Sequence, residues 1–93
     1  MTVRLKGKVI RLFPANRVTH IRLDIDPKVG PLDGYFDLKL DHDNYNALYT
    51  LALAAAVNRL PLTIRAVSDI VATERAVVQY MVVDWVAGQD DAD

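Results

Sequence analysis

Apolar and polar positions alternate most strictly over residues 17–26. Thr19, Ile21, Leu23 and Ile25 fall on one side, and Val18, His20, Arg22 and Asp24 on the other. That is the pattern of a strand with one buried and one wet face. Residues 35–40 repeat it, with Phe36, Leu38 and Leu40 inward and Tyr35, Asp37 and Lys39 outward. Residues 3–13 read as a long first strand in which Val3, Leu5 and Val9 share a face with Gly7. After Val9 the apolar pattern passes to the other parity at Ile10 and Leu12. A glycine followed by such a slip predicts a bulge or a sharp bend. Pro14, Ala15 and Asn16 then predict a tight turn, with Asn16 able to take left-handed angles. A loop holding two prolines and two glycines fills residues 27–34.

Residues 44–58 break the alternation and carry no charged side chain, in a chain where 25% of residues are charged. Leu and Ala dominate the run and favour helix. On a helix, Asn46, Thr50 and Asn58 form a narrow polar stripe. Tyr45, Leu48, Tyr49, Ala52, Ala55 and Ala56 line one side, and Leu53, Val57 and Leu60 cover the flank. A surface helix normally keeps about half its circumference polar, so this one is expected to be covered on more than one side. Asp41 or Asp43 would cap its first turn, and Pro61 must end it, with Asn58 and Arg59 at the C-terminal end. A fourth strand over 61–67 points Leu62, Ile64 and Ala66 one way and Thr63 and Arg65 the other. Between it and the last strand, Ile70 and Val71 are expected to tuck inward. The last strand, 75–86, is apolar on both faces: Val78, Tyr80 and Val82 oppose Val77, Met81, Val83 and Trp85. Residues 87–93 form a short acidic tail expected to fray.

Ninety-three residues make one domain, 1–86, whose apolar fraction of 52% belongs to a globular chain. The absence of cysteine excludes disulfide scaffolds, thiol catalysis and Cys-ligated zinc. No uncharged run reaches the roughly 20 residues needed to span a bilayer, and residues 1–6 lack a signal-type apolar core. A cytoplasmic, soluble protein is therefore expected, a mature secreted form being the alternative. Charge is unevenly spread. Residues 1–30 carry seven Lys/Arg against two Asp, a balance of +5; residues 31–93 carry four against ten acidic residues, a balance of −6. The halves either neutralise each other or leave a basic ligand face.

The element order β-β-β-α-β-β, with a bent, glycine-bearing first strand at 3–13, resembles the OB-fold, a five-stranded Greek-key barrel. The resemblance covers residues 3–86 and is one of architecture. Within that fold the uncharged helix is similar to the helices of pentameric B subunits of AB-type bacterial toxins, in which helices of neighbouring subunits line a central pore. The resemblance implies a self-associating barrel. The other large OB class binds single-stranded nucleic acid on the face of strands two and three. Here that face would hold His20, Arg22, Asp24, Tyr35, Asp37 and Lys39.

Candidate chemistry follows from these placements. A ligand face on strands two and three would use His20, Arg22, Tyr35 and Lys39 for a single-stranded nucleic acid or an oligosaccharide. Arg4, Lys6, Lys8, Arg11 and Arg17 would add to it only if they line the same groove. Asp41 and Asp43 lack the companion ligands of a calcium loop, and two separated histidines do not make a zinc site. No nucleophile sits in a recognisable catalytic setting and no glycine-rich phosphate loop is present. The sequence thus predicts a protein that is not an enzyme and needs neither cofactor nor metal. It is expected to self-associate through the helix and the last strand, with Tyr45, Tyr49, Leu53, Val57, Val77, Met81, Val83 and Trp85 at the contact.

Overall fold

The computed structural model describes residues 2–84. Its elements are β1 (Arg4–Ala15), β2 (Val18–Leu23), a single 3-10 turn (Leu32–Gly34), β3 (Tyr35–Lys39), α1 (Tyr45–Val57), β4 (Pro61–Ala66) and β5 (Ala76–Val82). The chain is mainly β with one helix, in the expected order. The five strands close on themselves in a ring, β1-β2-β3-β5-β4.

The length and bend of β1 make this closure possible. Its first half, Arg4 to Lys8, pairs antiparallel with β4, and its second half, Val9 to Ala15, pairs antiparallel with β2. The register shifts between Val9 and Arg11, where the sequence changes parity. Ile10 is the extra residue and is 55% exposed. Gly7 lies in the strand where the chain leaving β2 crosses closest. A Cβ at Gly7 would stand 2.8 Å from both the Asp24 carbonyl oxygen and Ile25 Cγ2, closer than side-chain carbons ordinarily come. The β1–β2 hairpin turns on Asn16 and Arg17, and the left-handed residue is Arg17 (φ 68°), not Asn16. The strand therefore runs through Pro14 and Ala15 instead of turning there.

β2 and β3 place their inward residues as the alternation predicts: Thr19, Ile21, Leu23, Phe36 and Leu38 are all buried. Leu40 is the exception. β3 ends at Lys39, so the period no longer holds and Leu40 is 49% exposed. β3 and β5 pair parallel over a short register, Phe36 with Ala76 and Asp37 with Val77. From β4, Leu62, Ile64 and Ala66 complete the inner layer. Ile70 packs against the core as expected, whereas Val71 points out at 42% exposure.

The parity of β5 differs from that read off its sequence. The register shifts between Arg65 and Ala66, so that Arg65 pairs with Tyr80 and Ala66 with Val78. The irregularity at Gln79 puts Ala76 and Val78 inside and then Met81, which is buried rather than presented outward. Val77 is half-buried, and Val83 packs against the core. Trp85, expected at the same outer face, and residues 86–93 lie outside the described residues.

α1 lays Leu48, Ala52 and Ala55 on the barrel core. Tyr45 is tied inward as well: its hydroxyl and the Thr19 hydroxyl, on a fully buried side chain, share a 2.6 Å hydrogen bond. Tyr49 stacks on Tyr45 with ring centroids 6.3 Å apart. The helix start is not capped by Asp41 or Asp43. The residue at the N-cap position is Asn44, whose side chain makes no cap bond. His42 does the local work instead. Its Nδ1 accepts the Asn44 N–H at 3.0 Å, so Nε2 carries the proton and donates to the Gln79 carbonyl oxygen of β5 at 2.7 Å. At the other end Arg59 N–H bonds Ala56 O and Leu60 N–H bonds Ala55 O. This is the paired geometry of a Schellman cap, with Arg59 left-handed at φ 56°.

The barrel covers only one side of α1. Asn46, Thr50, Leu53 and Val57 share the opposite side and are exposed, Leu53 by 43% and Val57 by 73%. No helix among the described residues is long and apolar enough to cross a membrane.

Candidate functional site

The outward residues of β1, β2 and β3 form a grid fixed by strand register. Arg11 pairs with Arg22 and Arg22 with Tyr35; one row along, Phe13 pairs with His20 and His20 with Asp37. Side chains directly across neighbouring strands stand close enough to interact. The bulge at Ile10 brings Arg11 and Phe13 to this face, because it moves the outward parity of β1 from even to odd numbers. Without it, these two side chains would point into the core.

Tyr35 is the centre of the grid. Arg11 Nη1 donates to its hydroxyl at 3.2 Å. The guanidinium carbons of Arg22 and Arg75 stand 5.8 and 5.5 Å from its ring centroid, within cation–π range. Arg75 directly precedes β5 and reaches Tyr35 because β5 lies parallel beside β3. Arg11 also lies 5.6 Å from the Phe13 centroid. The His20 ring sits between the other two, 5.7 Å from Phe13 and 6.2 Å, edge-on, from Tyr35.

His20 and Asp37 form a 2.7 Å pair with both side chains mostly buried, at 14% and 16% exposure. Since an ionised carboxylate only accepts, Nδ1–H of His20 is the donor. Asp37, the carboxylate of the grid, is thereby engaged by a neighbour. Three guanidinium groups remain around one tyrosine. Asp24 and Asp33 lie beyond Arg22, where they line a separate depression with it.

Arg11, Phe13, His20, Tyr35 and Arg75 line a shallow depression of about 160 Å³. Enclosed small-molecule sites run to about 300–1,000 Å³, so this is an open surface depression and not an enclosed cavity. A larger depression, about 390 Å³, lies at the start of α1 among Leu40, His42, Asp43, Asn44, Tyr45, Asn46 and Ala47. It gathers no comparable cluster of rings and cations. Among the described residues no group of three or more His, Cys, Asp or Glu is placed to hold a metal ion.

Of the residues singled out from sequence, His20, Arg22 and Tyr35 are brought together. Lys39 is not. It pairs with Val18 and lies four residues from Tyr35, about 13 Å along the strand at the usual rise. Phe13 and Arg75 were not singled out for this face. Phe13 is hidden by the parity change, and Arg75 by a pairing between distant parts of the chain. Phe13 is 48% exposed in the structure, which its place in an apolar run of the sequence does not signal. No protein-family model matches the chain, and no match is found among the curated proteins or the solved structures.

Proposed function

We propose that this chain is a non-enzymatic binding module of the OB type, a Greek-key barrel that holds single-stranded nucleic acid on the outer face of β1, β2 and β3. The ring order with β3 and β5 parallel, and the helix between β3 and β4, support the OB assignment. The observation that carries the function is the clustering of Arg11, Arg22 and Arg75 around Tyr35, beside Phe13 and His20.

Single strands are bound by pairing stacking platforms with cations that meet the backbone. Rings and guanidinium planes both stack on bases, and each nucleotide brings an anion. Stacking contributes about 1–3 kcal/mol per base. Two stacked bases with their phosphates would therefore give useful affinity without an enclosed pocket. A neutral oligosaccharide would use the rings but leave three guanidinium groups unanswered, so it ranks second as a ligand.

The test is a titration of labelled oligothymidylate by fluorescence anisotropy at two salt concentrations, about 50 and 200 mM. Affinity should fall steeply with salt, with a log–log slope near −2 if three phosphates are met, at about −0.7 each. No anisotropy change at the lower salt would remove the proposal.

Self-association through α1 is a second reading, favoured by the uncharged outer side of the helix with Leu53 and Val57 exposed. Full burial of a Leu or Val side chain contributes about 1.5–3 kcal/mol. Association costs at least about 4 kcal/mol in lost freedom. Two partly exposed aliphatic side chains per copy leave little surplus, so an assembly would have to recruit more surface than these. The residues expected to widen the contact from β5 do so less than the sequence implied, since Met81 is in the core.

A further inference from the structure

We propose that the depression walled by Arg11, Phe13, His20, Tyr35 and Arg75 seats a terminal phosphate, so that the face takes a single strand by a phosphorylated end. The inference rests on the nucleic-acid reading above and deepens it.

The donors come from three parts of the chain: Arg11 from β1, Tyr35 from β3 and Arg75 from the residue before β5. Strand order brings them together, with β2 carrying Arg22 on one side of β3 and β5 bringing Arg75 to the other. Arg11 Nη1 donates to the Tyr35 hydroxyl at 3.2 Å, so the phenol keeps its own proton to give to a ligand oxygen. That bond uses one of the five N–H groups a guanidinium holds. The Arg75 guanidinium carbon stands 5.5 Å from the same ring centroid. Two guanidinium groups and a hydroxyl thus surround one shallow opening of about 160 Å³. Asp37, the carboxylate of the neighbouring row, is held by His20 Nδ1 at 2.7 Å.

The chemistry of that opening favours a phosphomonoester over a phosphodiester. A monoester carries about 1.5 to 2 negative charges at pH 7 and three acceptor oxygens. Three donor groups answer those three oxygens. A diester carries a single charge, and both of its ester links would have to leave the same depression. Volume points the same way. Sites that enclose a small molecule hold about 300–1,000 Å³, so an opening of about half the lower figure suits an end group and not a whole nucleotide. The Phe13 and Tyr35 rings that wall the depression then offer stacking to the first bases. Arg22, 5.8 Å from the Tyr35 centroid on the β2 side, meets the next phosphate.

The experiment measures affinity at one salt concentration for thymidylate strands of about six residues that carry a phosphate at the 5′ end, at the 3′ end or at neither. Charge-assisted bonds to the seated group should tighten at least one phosphorylated strand by about tenfold or more over the unphosphorylated one. Arg75→Gln should cut that gain to about twofold or less. Lys39→Gln removes the same charge about 13 Å along β3 from Tyr35 and should keep the gain, which separates a built seat from general charge attraction. Arg75 and Lys39 are exposed, so both variants should fold, and circular dichroism checks that they do. Should the Arg75 variant not fold, Arg11→Gln, exposed on another strand, serves in its place. Equal affinity for all three strands would overturn the seat while leaving the Tyr35 face standing. A gain that survives Arg75→Gln, or one that Lys39→Gln removes as fully, would also overturn it. Binding of none of the strands would overturn the seat together with the reading on which it rests.

Discussion

Replacing Gly7 by alanine probes the bend on which both halves of the barrel depend. The added Cβ would stand 2.8 Å from the Asp24 carbonyl oxygen and 2.8 Å from Ile25 Cγ2. The Ile25 side chain is half-buried and can rotate away. The Asp24 carbonyl cannot move as freely, because its residue is tied back to β1 by the N–H bond to Lys8 O and by the adjacent Val9–Leu23 pair. Overpacking of this kind costs about 1–3 kcal/mol. Against it, alanine narrows the unfolded ensemble and returns about 0.4–1 kcal/mol. Gly7 has ordinary backbone angles, so no left-handed strain adds to either side. The clash wins, by about 1–2 kcal/mol. For a chain of this size that lowers Tm by about 4–16 °C. Urea denaturation should show a lower midpoint with an unchanged slope, since the same surface is exposed on unfolding. A Gly7→Ala variant as stable as the unmodified chain would refute the close crossing of β1 beneath the end of β2.

Tyr45→Phe removes the partner of the Thr19 hydroxyl, which is fully buried, and should destabilise the fold by about 1–3 kcal/mol in the same assay; no loss would mean the helix is not pinned there. Val57 is 73% exposed, so Val57→Asp should change stability by no more than about 0.5 kcal/mol. If copies of the chain do meet through α1, that substitution, or Leu53→Asp, should shift the sedimentation coefficient of the unmodified protein to that of a monomer. A monomer before substitution would dispose of the helix contact.

Much of the fold is legible in the chain because its signals are local. The alternation in β2 and β3 marks Thr19, Ile21, Leu23, Phe36 and Leu38 as core, and each is buried. Gly7 and the parity change after Val9 mark the bend, and the register shift falls there. What escaped is non-local. β5 is apolar on both faces, so nothing in its composition reveals the irregularity at Gln79 that sends Met81 inward. The helix start looked like an aspartate cap. His42 takes that place because β5 supplies a carbonyl for its other nitrogen, a contact between residues 37 apart in sequence. The candidate face was half visible for the same reason. His20, Arg22 and Tyr35 sit on adjacent hairpin-like strands, whereas Arg75 arrives through the parallel β3–β5 pairing. Lys39 obeyed the parity of the face, but it stands at the wrong end of β3. Periodicity tells which side a residue faces and says nothing of how far along the sheet it lies.

The central claim concerns the guanidinium-ringed Tyr35, and one comparison tests it most directly. Affinity for a single strand of about twelve residues is measured for Tyr35→Ala with Arg22→Ala and, separately, for Lys39→Ala. Losing a stacked base and one phosphate contact should remove at least about 1.4 kcal/mol, a tenfold or greater rise in Kd, from the double variant. Lys39→Ala should change Kd less than twofold by the same conversion, about 0.4 kcal/mol. A double variant that binds as tightly as the unmodified chain would contradict the account, as would a Lys39→Ala variant that loses as much as the double one.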